Sequence, residues 1–102
     1  MKHLSIIIHT NTQQDLADQL RSMGQLSGFT FSHVEGHGVQ AESDPFLSAR
    51  DKVVGFVPRV RVDILLKDHD VDTVLDTLRG AIYGIEGQSI YWFTAVEQNG
   101  RL

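Results

Sequence analysis

The 102-residue chain contains no cysteine. That excludes a disulfide framework, a thiolate metal site and a cysteine nucleophile, and makes a reducing cytoplasm the expected compartment. There are only two prolines, Pro45 and Pro58, and no low-complexity tract or solenoid repeat breaks the chain. No apolar run approaches the roughly 20 residues of a membrane-spanning helix, so membrane insertion is not expected. The opening segment, Met1 to Ile8, lacks the long apolar region and small-residue cleavage site of a signal peptide; its alternation suits a strand instead. Positive charge is also scarce. Nine Lys and Arg against thirteen Asp and Glu leave a net charge of -4 and no basic face, so a nucleic-acid partner is not expected either.

What is present is one small domain, residues 1–102, with 41% hydrophobic and 22% charged residues, ordinary for a globular protein. A domain of this size has little core per residue, and self-association would help to stabilise it. Leu4, Ile6 and Ile8 alternate with His3, Ser5, Ile7 and His9, which predicts a first strand. Thr12 followed by Asp15 predicts a capping box, and Leu16, Leu20 and Met23 recur at helical spacing up to Gly24, the expected stop. A second strand is expected from about Phe29 to Glu35. The third is the best defined, with Val60, Val62, Ile64 and Leu66 alternating with Arg59, Arg61, Asp63 and Leu65. Asp70 is placed to cap a second helix, whose stripe is Val71, Val74, Leu75, Leu78 and Ile82. A last strand, Ser89 to Val96, is apolar on both sides, so its sheet is expected to be covered twice, by the helices and by another subunit. The order strand, helix, strand, strand, helix, strand predicts an α+β, ferredoxin-like βαββαβ fold: a four-stranded antiparallel sheet with two helices on one face.

The second and third strands could have been joined by a tight hairpin. They are separated instead by a polar stretch of about twenty residues, at about 37–57, and compact domains seldom carry such a loop without a use for it. Gly36 and Gly38 at its start serve the turn or allow close approach of a ligand to the backbone. Pro45, Phe46 and Leu47 form a candidate docking patch for a partner protein. His37, with Glu42 or Asp44, is the best candidate metal ligand, although no compact ligand motif accompanies it. Ser48, His37 and Asp51 have the residue types of a catalytic triad but not the setting of a nucleophile elbow, and catalysis is not expected.

These elements together resemble the PII signalling proteins, and more closely a short PII-like family of small bacterial proteins. The resemblance rests on the lysine-led first strand, on Gly28-Phe29-Thr30, on Val34-Glu35-Gly36-His37-Gly38, on a loop of matching length, and on Val53-Val54-Gly55-Phe56-Val57-Pro58-Arg59-Val60 at the loop exit. It implies a compact homotrimer, similar to the nitrogen regulatory proteins, that carries a signal rather than catalysing a reaction. It also implies clefts between subunits for ATP, ADP or AMP, and a T-loop, here about 37–57, that docks on an unidentified protein target. On that likeness the effector-binding residues are Gly36, Gly38, Gln40, Arg59 and Gly87. Gln40 stands where PII proteins use a glutamine near a metal or oxo-acid, and Arg59 where they have a lysine. The chain departs from the family at Gly84-Ile85-Glu86-Gly87-Gln88-Ser89, which lacks the lysine of the phosphate-cradling Gly-Asp-Gly-Lys run, and Lys52 replaces the loop tyrosine. A related ferredoxin-like group, the CutA proteins, offers the alternative of a divalent-metal-binding or metal-tolerance protein.

Overall fold

A computed structural model describes residues 1–37, 56–81 and 89–102. Among the described residues, four strands and two helices follow in the expected order: β1 (Lys2–His9), α1 (Gln13–Ser22), β2 (Thr30–Gly36), β3 (Val57–Leu66), α2 (Val71–Ala81) and β4 (Ile90–Ala95). Every neighbouring pair in the sheet is antiparallel, and the strand order is β2-β3-β1-β4. The central pair, β1 and β3, sets Leu4 opposite Ile64, Ile6 opposite Val62 and Ile8 opposite Val60. These six side chains are buried together beneath the helices, from which Leu16, Leu20, Val71, Val74, Leu75 and Leu78 complete the core. One sheet face is therefore covered by α1 and α2. The ferredoxin-like architecture follows from period-two alternation in the strands meeting period-3.6 stripes on the helices.

Local details differ from the sequence reading. Thr12 does not cap α1 through its side chain; its hydroxyl donates to the His9 carbonyl at 2.9 Å and closes a 3-10 turn over Thr10–Thr12. The hydroxyl is turned back as a donor to a carbonyl, whereas a capping box would have its oxygen accept from the backbone N–H three residues on. The helix ends at Ser22 and not on a left-handed glycine: Met23 is extended, its N–H donating to the Leu20 carbonyl at 3.2 Å, and its side chain drops into the core. Asp70 closes a second 3-10 turn, Asp68–Asp70, immediately before Val71 opens α2. Ile82, the last residue of the predicted stripe, lies outside the described residues.

The larger correction concerns β4. Its helix-side residues Tyr91 and Phe93, which face Ile6 and Leu4 in the ladder, were expected to be covered by the helices. All six residues of the strand are exposed, Tyr91 to 44% and Phe93 to 46%. The α2 helix reaches the strand through Arg79, which donates to the Tyr91 hydroxyl at 3.1 Å and stacks over its ring at 5.7 Å. β4 is an edge strand, and among the described residues the helical layer leaves it exposed.

Candidate functional site

Three features of the sheet bear on function. The first lies where β2 ends and β3 begins. β2 ends at Gly36 opposite Val57, and two steps inward Val34 faces Arg59. Arg59 also faces His9 across the β1–β3 ladder. Its guanidinium lies along the edge of the buried His9 ring, with Nη1 against Nδ1 and 3.1 Å from Nε2. The Arg59 stem runs over Gly36. A Cβ there would stand 2.8 Å from Arg59 Cγ and 3.3 Å from the Val57 carbonyl oxygen. His37 follows directly, its ring tilted against Phe56 with centroids 5.8 Å apart and its Nε2 3.5 Å from Glu35 Oε2.

The second feature occupies the sheet face away from the helices. The Asp63 carboxylate accepts from three side chains: His3 Nε2 at 2.7 Å, the Ser5 hydroxyl at 3.0 Å and Arg61 Nε at 3.1 Å. Arg61 also donates to Ser5 Oγ at 3.3 Å and lies 5.4 Å above the Trp92 ring. Register explains the cluster, because Ser5 is the ladder partner of both Asp63 and Trp92. Burial pushes the Asp63 carboxyl up, but hydrogen bonds from His3, Ser5 and Arg61, with the Arg61 charge, outweigh it and hold the group below its ordinary value.

The third is an open cleft of about 740 Å³ at the end of the same sheet. Its walls are the Ser27–Thr30 segment, the ends of β1 and β3 at His3, Asp63 and Leu65, and the tail from Val96 to Arg101. The network of the second feature thus reaches its floor.

Of the sequence-predicted effector residues, the structure brings Gly36 and Arg59 into contact. Gly38, Gln40 and Gly87 lie outside the described residues, as does the docking patch Pro45, Phe46 and Leu47. His37 is described, but Glu42 and Asp44 are not. Among the described residues no group of three or more His, Asp or Glu is gathered as a metal would require. The sequence reading missed His9, Ser5 and Asp63 as site residues. Alternation had placed His9 and Ser5 on one side of β1 and Asp63 beside Arg59 and Arg61 on β3; only strand register, which alternation does not supply, joins them.

Residues 1–102, the whole chain, match the family described as "Protein of unknown function (DUF3240)". The chain belongs to this family. Its fold is similar to the crystal structure of a DUF3240 family protein from Shewanella baltica OS155, with a TM-score of 0.78 over 99% of this chain and 94% of that one at 20% identity. The nitrogen regulatory protein GlnK of Escherichia coli K12 is 30% identical over 83 residues, 81% of this chain and 73% of that protein. Nitrogen regulatory protein P-II 2 of Methanothermobacter thermautotrophicus is 27% identical over 103 residues, covering 100% of this chain and 89% of that one. These relationships make this DUF3240 chain a member of the PII-like superfamily. Among its described residues, no helix is long and apolar enough to cross a membrane.

Proposed function

We propose that this PII-like chain is a cytoplasmic signalling protein that acts as a homotrimer. A small anionic effector, with ATP, ADP and AMP as the leading candidates, binds in clefts at the subunit seams. The state of each cleft passes to a partner protein through residues 37–57. The observation that carries the reading is the cleft beside an uncovered apolar strand. The tail that walls the cleft continues directly from β4, where Ile90, Tyr91, Trp92 and Phe93 are all exposed. A second copy seated on β4 would bury this apolar row, stand beside the cleft and supply a further wall. Gly28 and Thr30 line the cleft, and they are the residues of the Gly-x-Thr element that the chain shares with PII proteins. Arg59 lies outside this cleft, at the other end of β3, where its planar cationic group is suited to the phosphate or carboxylate of an effector. An effector that binds one state of the protein better than another shifts the balance between them by that difference in affinity.

The test has two arms. Sedimentation at micromolar concentration is expected to give three times the 11.4 kDa protomer mass; a lone folded protomer would remove the seam clefts. Calorimetric titration with ATP, ADP and AMP is expected to show saturable binding of at least one, and flat traces with all three would remove the nucleotide effector. The metal alternative rests on His37. It is checked by titrating zinc, copper and cobalt into the native chain and a His37→Ala variant, and an effect confined to the native chain would favour it.

A further inference from the structure

We infer that His9 is a positioning residue for Arg59 at the loop base, and that Gly36 is a glycine to make room for the arginine stem. The inference deepens the proposed effector site and rests on it for the identity of the ligand, but its geometry stands apart. His9 and Arg59 are directly opposed in the β1–β3 ladder. The His9 ring is 3% exposed, and the Arg59 guanidinium is laid along its nitrogen-bearing edge. A guanidinium only donates, so the ring offers it an acceptor nitrogen. Directly opposed cross-strand side chains are the closest pairs a sheet makes, and a buried ring beside an arginine restricts the rotamers the longer chain can take. Gly36 limits the other side: the space its missing side chain leaves is filled by Arg59 Cγ, close to the root of the chain where little adjustment is available. Ring and glycine together hold the Arg59 side chain at the end of the sheet where β2 stops and β3 begins.

This changes the reading of both residues. Gly36 was expected either to serve a turn or to let a ligand approach the backbone; the approach the structure shows is that of Arg59. His9 carried no role in the sequence, yet it touches the one cation among the described candidate effector residues. An arginine fixed in advance pays less entropy on meeting an anion than one that must be ordered by it, so His9 acts on affinity through Arg59 without touching the ligand.

The experiment uses the full chain in three forms: native, His9→Ala and His9→Asn. Asparagine places an acceptor oxygen near the position of Nδ1, whereas alanine removes the acceptor altogether. Affinity for ATP and ADP is measured by calorimetry, and the Nε–H signal of Arg59, assigned from an Arg59→Lys variant, is followed by ¹⁵N NMR. Circular dichroism verifies folding. His9→Ala is expected to weaken nucleotide binding by about tenfold, the scale of one hydrogen bond to a charged group, and His9→Asn to recover most of the loss. The Arg59 Nε–H signal is expected to be distinct in the native and Asn forms and averaged in the Ala form. Equal affinities and identical Arg59 signals in folded native and His9→Ala proteins would overturn the inference. So would a His9→Asn variant that folds but behaves as His9→Ala. If the native chain binds neither nucleotide, the nucleotide reading falls and the NMR arm alone decides: loss of the native Arg59 signal in His9→Ala, with recovery in His9→Asn, supports the positioning role, and its persistence sinks it.

Discussion

His3 and Asp63 meet on the open face of the sheet, His3 Nε2 2.7 Å from Asp63 Oδ1, although neither is the other's partner in the ladder. The same carboxylate oxygen receives the Ser5 hydroxyl and Arg61 Nε, so three donors depend on one acceptor. The fold holds the Asp63 carboxyl below its ordinary value because these hydrogen bonds and the Arg61 charge outweigh the desolvation that raises it. A carboxylate lowered on folding stabilises the folded state at pH above its unfolded value of about 3.9. That contribution is lost as pH falls through the lower, folded value. Asp63→Ala, which leaves Arg61 and Ser5 without this acceptor, is expected to cost about 1–3 kcal/mol at pH 7. The gap between native and variant is expected to shrink as pH falls below about 4. Urea unfolding at pH 7 and at pH 3 checks it, and a gap unchanged by pH would refute the assignment.

Gly36→Ala places a methyl against the Arg59 stem and the Val57 carbonyl. Overpacking of this kind costs about 1–3 kcal/mol. The cost is expected to be smaller in an Arg59→Ala background, because the closest contact has gone, leaving only the 3.3 Å approach to Val57. Urea midpoints for the two single variants and the double variant measure the coupling. Additive losses would show that the stem does not fill this space.

Much of the architecture was legible in the sequence because the two periodicities are clean. Val60, Val62, Ile64 and Leu66 read as one face of a strand, and all four are buried; Val71, Val74, Leu75 and Leu78 read as one stripe of a helix, and they meet those strands in the core. Element ends were less legible. Thr12, Gly24 and Asp70 are all residue types that cap helices, but the Thr12 hydroxyl found the His9 carbonyl first, and Met23 was drawn inward by its own apolar side chain. The open-face network was the least legible part. His3 and Ser5 on β1 lie more than fifty residues from Arg61 and Asp63 on β3, and their meeting depends on which residue of β1 faces which residue of β3. Slipping the ladder by one residue would move each to the other face. Arg59 could be placed from its family position at the loop exit, whereas its neighbour His9 could not, since no local motif marks a histidine that acts by packing against an arginine.

The core prediction follows from α1. Leu20 is 1% exposed and packs among β1, β3 and α2 residues, whereas Asp18, two positions earlier, faces solvent and is paired with Gln14 and Arg21 on the helix surface. Leu20→Ala is expected to cost about 2–5 kcal/mol, from lost burial and the cavity left behind. Asp18→Ala is expected to change stability by no more than about 0.5 kcal/mol. Chemical unfolding of both variants at one protomer concentration makes the comparison, and equal losses would place Leu20 outside the core.

Trp92 tests the assembly. It stands on the open face opposite Ser5, 39% exposed, with the Arg61 guanidinium over its ring. Its strand neighbours Tyr91 and Phe93 are exposed on the opposite face of the sheet, so no single-sided cover accounts for the apolar character of β4. A large apolar row on an edge strand is an aggregation hazard unless something covers it, and in the proposed trimer a second copy of the chain would cover it. Trp92→Glu places a charge on that row beside the Asp63 network while leaving the helical core untouched. The expected result is a protomer with native circular dichroism and a sedimentation mass reduced to 11.4 kDa at micromolar concentration. A Trp92→Phe control keeps an apolar ring on the row and is expected to retain the assembled mass. If Trp92→Glu assembles as the native chain does, the strand's apolar groups are not at the subunit contact, and the seam must be sought on another face.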